Sequence, residues 1–299
     1  MPVKKITVIF LILCMTGLAA CGGGGNAVDV ASIALNIPTD RYPAVDGSTL
    51  TIPFSEAVAA AVMHTSIEEA RTYVLHNKTH AAYTNLVDGK ADIIFVTPPS
   101  QEELNYAKEA GVELEVIPIL HDGFMFFVNA KNPVSSLSSD DIVKIYSGEI
   151  TNWKDLGGSD SEITAYQRGV NSGSQTGMQN IVMKDVPMVK APQELIIGLM
   201  DVIIDAVAFY DNAESAIGYS YYYYAQNMWR DDRIKYLKVN GVAPSDESIA
   251  DGSYPFISDT CMVLRKDEPA DSSARKLADW ILSDEGRMVA KGAGYVPIQ

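Results

Sequence analysis

From about Ile37 to the C-terminus, short apolar runs that read as strands alternate with stretches that read as helices, and turn-forming residues separate them. That alternation confines the chain to an α/β architecture, because parallel strands need a crossover between them and a helix to cover their faces. Pro53 ahead of the Ala-rich run Ser55 to Met63 marks a helix start. Residues 81–88 read as a second helix, broken by Gly89-Lys90, and Ala91 to Val96 as a strand that stops at Thr97-Pro98-Pro99. Gln101 to Ala110 is helical, and Leu114 to Leu120 and Phe124 to Val128 read as two separate strands. Ser138 to Asp141 caps a helix that ends at Gly148. Further on, Ile163 to Tyr166, Ala216 to Tyr219 and Ile257 to Leu264 read as strands, 191–210 as helix, and Ser272 to Ala293 as one or two terminal helices.

The chemistry gathers at strand-to-helix junctions. Arg168-Gly169-Val170-Asn171-Ser172-Gly173-Ser174-Gln175-Thr176 follows a strand and opens a helix predicted from about Thr176. The first N–H groups of a helix lack internal partners and carry partial positive charge, so an anion is favoured there. Glycine lets it approach the backbone, serine adds donors, and the planar guanidinium of Arg168 suits two oxygens of one oxyanion. Taken alone, the pattern fits ordinary helix capping equally well. Asp46-Gly47-Ser48-Thr49 repeats the arrangement, and Lys78-Thr79-His80 and Thr97 provide two further junctions. Each by itself is a cap; four converging on one small anion is the simplest joint reading, since open α/β sheets bind ligands outside their strand ends.

A resemblance sharpens this. Asp122-Gly123-Phe124 through Asn129, Asn132-Pro133-Val134, the helix to Tyr146-Ser147-Gly148-Glu149-Ile150, and Thr151-Asn152-Trp153-Lys154-Asp155-Leu156-Gly157-Gly158 are similar to the phosphate-binding proteins of ABC importers. So are the spacing of Arg168 to Ser172-Gly173-Ser174, the run Ala216-Ile217-Gly218-Tyr219, and the ending Gly294-Tyr295-Val296-Pro297. The similarity runs in order over nearly all of residues 44–299.

The resemblance implies a two-lobe type II periplasmic-binding-protein fold with two crossover hinge strands. One lobe is expected from residues 40–120 plus 256–299 and the other from 121–255, with one phosphate buried between them. Matched to the family pattern, the ligand residues are Ser48 with Thr49, Thr79, Thr97, and Arg168 with Ser172, Gly173 and Ser174; Leu50 offers its backbone N–H. Ser174 stands where threonine is usual and keeps the hydroxyl. Thr97 stands where the best-known members carry aspartate. A carboxylate there accepts a hydrogen bond from protonated phosphate and repels sulfate, whereas Thr97 accepts without charge, so discrimination by repulsion is weakened. The expected partners are phosphate or a related oxyanion and the subunits of an ABC permease, with the receptor itself a monomer.

The N-terminus carries an address. Lys4 and Lys5, the apolar run Ile6 to Met15, and Leu18-Ala19-Ala20-Cys21 have the layout of a secretory signal over residues 1–20, too short for a comfortable membrane span. Leu18 to Cys21 resembles the bacterial lipobox, which implies lipidation of Cys21, attachment to the cell membrane on its extracytoplasmic side, and a flexible tether over 21–37 that begins with four glycines. Cys261 is left without a disulfide partner and reads as a small buried apolar residue.

The net charge of −15, more negative still once Lys4 and Lys5 leave, argues against nucleic acid. It also denies an anion any long-range steering, so capture must rest on short-range hydrogen bonds in a confined cleft. No Gly-Xaa-Ser-Xaa-Gly elbow or carboxylate–histidine metal cluster is present to support an enzyme, a phosphatase or esterase for instance. No cofactor is expected. His76 and His80 have metal-ligand spacing but no glutamate beside them, Asp160 and Glu162 read as a solvated loop, and the run Tyr221 to Tyr224 reads as packing with one or two rings lining a cleft. A receptor for another anion or small solute, and an anchored ligand sensor, are the alternatives on the same fold.

Overall fold

A computed structural model describes residues 33–210 and 213–298; the signal segment, Cys21 and most of the tether lie outside them. β1 (Val45–Gly47) runs through a 3-10 turn, Thr49–Thr51, directly into α1 (Ile52–Met63), with Pro53 in the first turn. There its missing N–H removes no helical bond. After α2 (Ile67–Ala70) come α3 (Thr79–Val87), β2 (Ile93–Val96) and α4 (Gln101–Glu109), whose first turn is closed by a capping box between Ser100 and Glu103. β3 (Leu114–Asn129) is a single strand of 16 residues. β4 (Ser136–Leu137) leads to α5 (Ser139–Ser147), capped by Ser138 and Asp141 and terminated at Gly148 with φ +83°. That left-handed C-cap is inexpensive only for glycine.

The second half of the chain adds β5 (Thr164–Ala165), β6 (Gln167–Arg168), α6 (Gly173–Gly177) continuing as a π-helical stretch to Met183, β7 (Ile196–Ile197), α7 (Met200–Phe209) and β8 (Ala216–Tyr221). Then follow β9 (Ile234–Tyr236), β10 (Lys238–Val239), α8 (Asp246–Ala250), β11 (Ile257–Arg265), α9 (Ser273–Ile281), α10 (Asp284–Gly292) and β12 (Val296–Pro297). The main sheet has the strand order β1-β2-β11-β3-β8-β5. β1 and β2 are parallel, as are β5 and β8, while β11 and β8 lie antiparallel to β3.

β3 belongs to both halves of this sheet. Up to Gly123 it pairs with β11, and from Phe124 it pairs with β8. Phe124 to Val128 are fully buried, the mark of a strand covered on both faces. The expected break between Leu120 and Phe124 is therefore absent: Gly123 continues the strand, and a Cβ there would stand 2.9 Å from Ile249 Cδ1. Glycine serves close packing of α8 here rather than a turn.

Two other expectations need correction. The stretch 191–210 is not one helix: Gln193–Leu195 forms a 3-10 turn, Ile196 and Ile197 form β7, parallel to β6, and α7 begins only at Met200. The tether ends earlier than residue 37. Ile33 and Ile37 are buried, the Ile37 N–H donates to Val62 O at 2.7 Å, and Ala34 N–H reaches the Glu285 carboxylate. Ser272 to Ala293 resolves into two helices, split where Ser283 caps α10. Cys261 is buried in β11, and desolvation pushes its thiol up to about 12, far from thiolate chemistry at neutral pH.

Candidate functional site

Between the two halves of the sheet lies a cleft of about 290 Å³, lined by the ends of β1, β2 and β6, by the 3-10 turn that leads into α1, and by the starts of α3, α6 and α7. Ser48, Thr49, Leu50, Thr79, Thr97, Arg168, Ser172, Gly173 and Ser174 all line it. The structure thus brings all nine ligand residues expected from the sequence to one cleft, from four separate segments of the chain.

Local bonds set each wall. Asp46 is buried and accepts from the N–H groups of Gly47 and Asn77 and from the side-chain amides of Asn77 and Asn85, at 2.7–2.9 Å. One carboxylate thereby fixes the Ser48 turn beside the start of α3. Thr51 Oγ1 donates to Phe95 O, and the Ser48 N–H donates to the same carbonyl, locking the turn onto β2. In α3 the first intrahelical bond runs from the Ala82 N–H to Lys78 O, so the N–H groups of residues 79–81 remain at the helix start, facing the cleft. Tyr83 holds the peptide of Thr97 by donating to its carbonyl at 2.9 Å.

On the opposite wall Arg168 is 5% exposed. Its Nε donates to Ile197 O at 2.9 Å, its two terminal nitrogens donate to Ser174 Oγ at 3.0 Å and Gly198 O at 3.2 Å, and among the described residues it forms no ion pair. A guanidinium carries five N–H groups, so each terminal nitrogen retains one for a ligand. Burial pulls its pKa below the ordinary arginine value, a desolvation cost that a bound anion offsets. Its backbone N–H is shared by Gln175 Oε1 and the Tyr219 hydroxyl, which hydrogen-bond each other. Ser172 caps α6 by accepting from the Gln175 N–H, and α6 starts at Gly173 rather than near Thr176.

Where the walls meet, glycine is indispensable. A Cβ at Gly173 would stand 2.5 Å from Thr97 Oγ1 and 2.7 Å from Thr79 Oγ1. Asn171, held at φ +62°, donates to Glu102 Oε2 at 2.6 Å across the mouth. Ser48 Oγ is buried with no partner, and Thr97 Oγ1 finds none of good geometry although the Tyr221 hydroxyl lies beside it. Buried hydroxyls without partners are costly, and here they border a cleft that can supply one.

The electrostatics of the lining are one-sided. Arg168 and Lys78 line the cleft with His80, and among the described residues no aspartate or glutamate does. Lys78 and Tyr221 were not in the site read from sequence, although Lys78 adjoins Thr79 and the tyrosine run was noted. His80 pairs with Glu103 at 3.2 Å and His76 with Ser55 Oγ at 2.7 Å, and among the described residues no group of three or more His, Cys, Asp or Glu side chains is placed to hold a metal. Asp160 is exposed and bonded to Lys154 and Asn152.

Comparison with known proteins agrees with this geometry. A phosphate-binding protein PstS of Staphylococcus haemolyticus is 25% identical over 288 residues, 93% of this chain and 87% of that one. The PstS of Bacillus subtilis is 24% identical over 302 residues, covering 99% and 94%. A substrate-binding protein assigned to a phosphate ABC transporter of Clostridium perfringens, solved with phosphate bound, superposes with a TM-score of 0.66 at 27% identity, over 85% of this chain and 98% of that one. The mixed α/β architecture is that of the type II periplasmic-binding proteins. With a profile for the PBP superfamily domain matching residues 38–285, the chain belongs to that superfamily.

Proposed function

We propose that this chain is an extracytoplasmic receptor that closes two lobes around inorganic phosphate and delivers it to an ABC permease. The observation that carries the reading is Arg168: a buried guanidinium that, among the described residues, has no ion pair, keeps two N–H groups free and faces unpartnered hydroxyls and helix N-termini in a cleft without a carboxylate. Such a cavity complements a small, desolvated, tetrahedral anion. The lobes are residues 40–120 with 256–299, and 121–255; Ser48, Thr49, Leu50, Thr79 and Thr97 hold the ligand from the first, and Arg168, Ser172, Gly173 and Ser174 from the second. PstS relatives and the phosphate-bound neighbour support phosphate as the ligand. The leader supports export and lipidation at Cys21.

The same lining supports a receptor rather than an enzyme. His80 is engaged by Glu103, and among the described residues no cleft hydroxyl is hydrogen-bonded to its ring. Calorimetry on protein refolded free of ligand tests the reading, with phosphate and sulfate titrated separately. We expect phosphate to bind in the micromolar range or tighter, about −8 kcal/mol or better, and sulfate to compete measurably because Thr97 brings no repelling charge. Absence of phosphate binding would remove the claim.

A further inference from the structure

The tyrosine run Tyr221 to Tyr224 has no role in the cleft described so far beyond the Tyr221 contact. Tyr221 is 2% exposed and ends β8; its hydroxyl donates to Gly173 O at 2.9 Å, on the Arg168 wall. Tyr223, two residues later, is 6% exposed and turns the other way. Its ring stacks on Tyr295 with centroids 3.7 Å apart and planes 15° from parallel. Tyr295 in turn donates its hydroxyl to Leu50 O at 2.8 Å, on the opposite wall. The backbone N–H of Tyr223 is pinned at 3.0 Å by Asp122 Oδ1, and Asp122 sits where β3 changes partner from β11 to β8.

Both walls of the cleft are therefore fastened to one short segment at the crossover. Phenylalanine at any of these positions fills the same space but has no tip donor, and an aliphatic residue at 223 has no face to stack. The Leu50 carbonyl shares its peptide with the Thr51 N–H, which closes the Ser48 turn by donating to Ser48 O at 3.1 Å, and the Gly173 carbonyl shares its peptide with the Ser174 N–H, so Tyr295 holds the Leu50 turn and Tyr221 holds the start of α6.

We propose that Tyr221, Tyr223 and Tyr295 are positioning residues that set the two walls of the oxyanion cleft relative to each other through the crossover. The proposal rests on the reading of that cleft as an oxyanion site. None of the three needs to touch the ligand; each acts through a backbone group that lines the cleft. The two walls are coupled because Tyr221 and Tyr223 share one segment and one anchor, Asp122.

Calorimetry with inorganic phosphate on the single variants Tyr221→Phe and Tyr295→Phe and on the double variant reads this coupling, each at a temperature where circular dichroism shows the native fold. Each single change should raise Kd about fivefold to tenfold, the loss expected of one buried hydrogen bond. The double variant should fall short of the product of the two by at least about threefold, since one joint cannot be broken twice. Tyr223→Phe keeps the stack but loses the hydroxyl's bond to Ala293 O at 2.7 Å, so it should cost less affinity than Tyr223→Leu, which loses both. A second readout needs no ligand: amide exchange at residues 48–52, which Tyr223 reaches only through Tyr295, should accelerate in Tyr223→Leu. Multiplicative singles, or unchanged exchange at 48–52 in Tyr223→Leu, would overturn the proposal. If the parent protein binds no phosphate, the functional reading falls and the exchange measurement alone decides this one.

Discussion

Arg168 commits three hydrogen bonds to the protein and keeps two donors for the cleft, which makes it both a structural strut and the main positive charge of the site. Lysine at this position supplies a charge but not the fork, and it leaves Gly198 O without the Arg168 donor and Ile197 O with the Gly169 N–H alone. Arg168→Lys is therefore expected to weaken phosphate binding by about 2–3 kcal/mol and Arg168→Ala by about 2–5 kcal/mol, measured by calorimetry. A loss below about 0.5 kcal/mol, the scale of ordinary surface changes, would place Arg168 outside the binding machinery. The residues of this wall were legible in the sequence because glycine, serine and arginine at a strand-to-helix junction carry their chemistry locally. Lys78 is legible only as a neighbour of Thr79 in its junction, and Tyr221 only as one of a run in which one or two rings line a cleft, for a physical reason. Lys78 reaches the cleft through a backbone at φ +70°, and Tyr221 reaches it by lying beside α6, from which it is separated by more than forty residues of chain.

At the scale of elements, the crossover in β3 holds a charge problem. Asp122 is buried, Oδ1 accepts from the Gly123 and Tyr223 N–H groups, and Oδ2 has no partner. The titratable groups that act on it are Asp246 on α8, Tyr221, Tyr222 and Tyr223 at the end of β8, and Tyr295; none of these is a cation. Desolvation, only partly offset by the backbone N–H groups of Tyr223, Gly123 and Tyr222, raises its pKa to about 7 from the ordinary value of 3.8. Below about pH 4 the folded and unfolded chains both carry the proton, so the group contributes nothing to the pH dependence. Between about pH 4 and 7 only the unfolded state ionises, and the fold loses up to about 4 kcal/mol, a loss complete above pH 7. Asp122→Asn removes the titration, so the urea midpoint of the variant should gain on the parent between pH 5 and pH 8. Parallel pH profiles would show that Asp122 is ionised throughout. The same strand shows where sequence reading stopped: Asp122-Gly123 looks like a break because glycine usually ends a strand, yet the crowding of Ile249 and Tyr222 over Gly123 exists only after α8 has folded back. Ile196-Ile197 was read as helix for the complementary reason, since two residues carry no period of their own and become a strand only beside Gln167 and Arg168.

For the whole molecule, the decisive contact is between lobes that the chain joins only through its crossovers. In the structure Gly173, on the proposed second lobe, lies against Thr97 and Thr79 of the proposed first, so close that a methyl group on its Cα would overlap both hydroxyls. Protein interiors do not yield to such overlap by compression, and the soft coordinate available is the hinge between lobes. Gly173→Ala should accordingly leave each lobe folded and hold the cleft ajar. Closure is then lost as a source of affinity: phosphate Kd should rise at least about tenfold, or about 1.4 kcal/mol, while the melting temperature without ligand stays near that of the parent. Small-angle scattering separates this from a simple loss of one contact. The parent should contract when phosphate is added, and Gly173→Ala at saturating phosphate should keep the dimensions of the ligand-free protein. Contraction of the variant equal to that of the parent would mean that the cleft can close around the ligand without the glycine contact, and that Gly173 does not set the closed state.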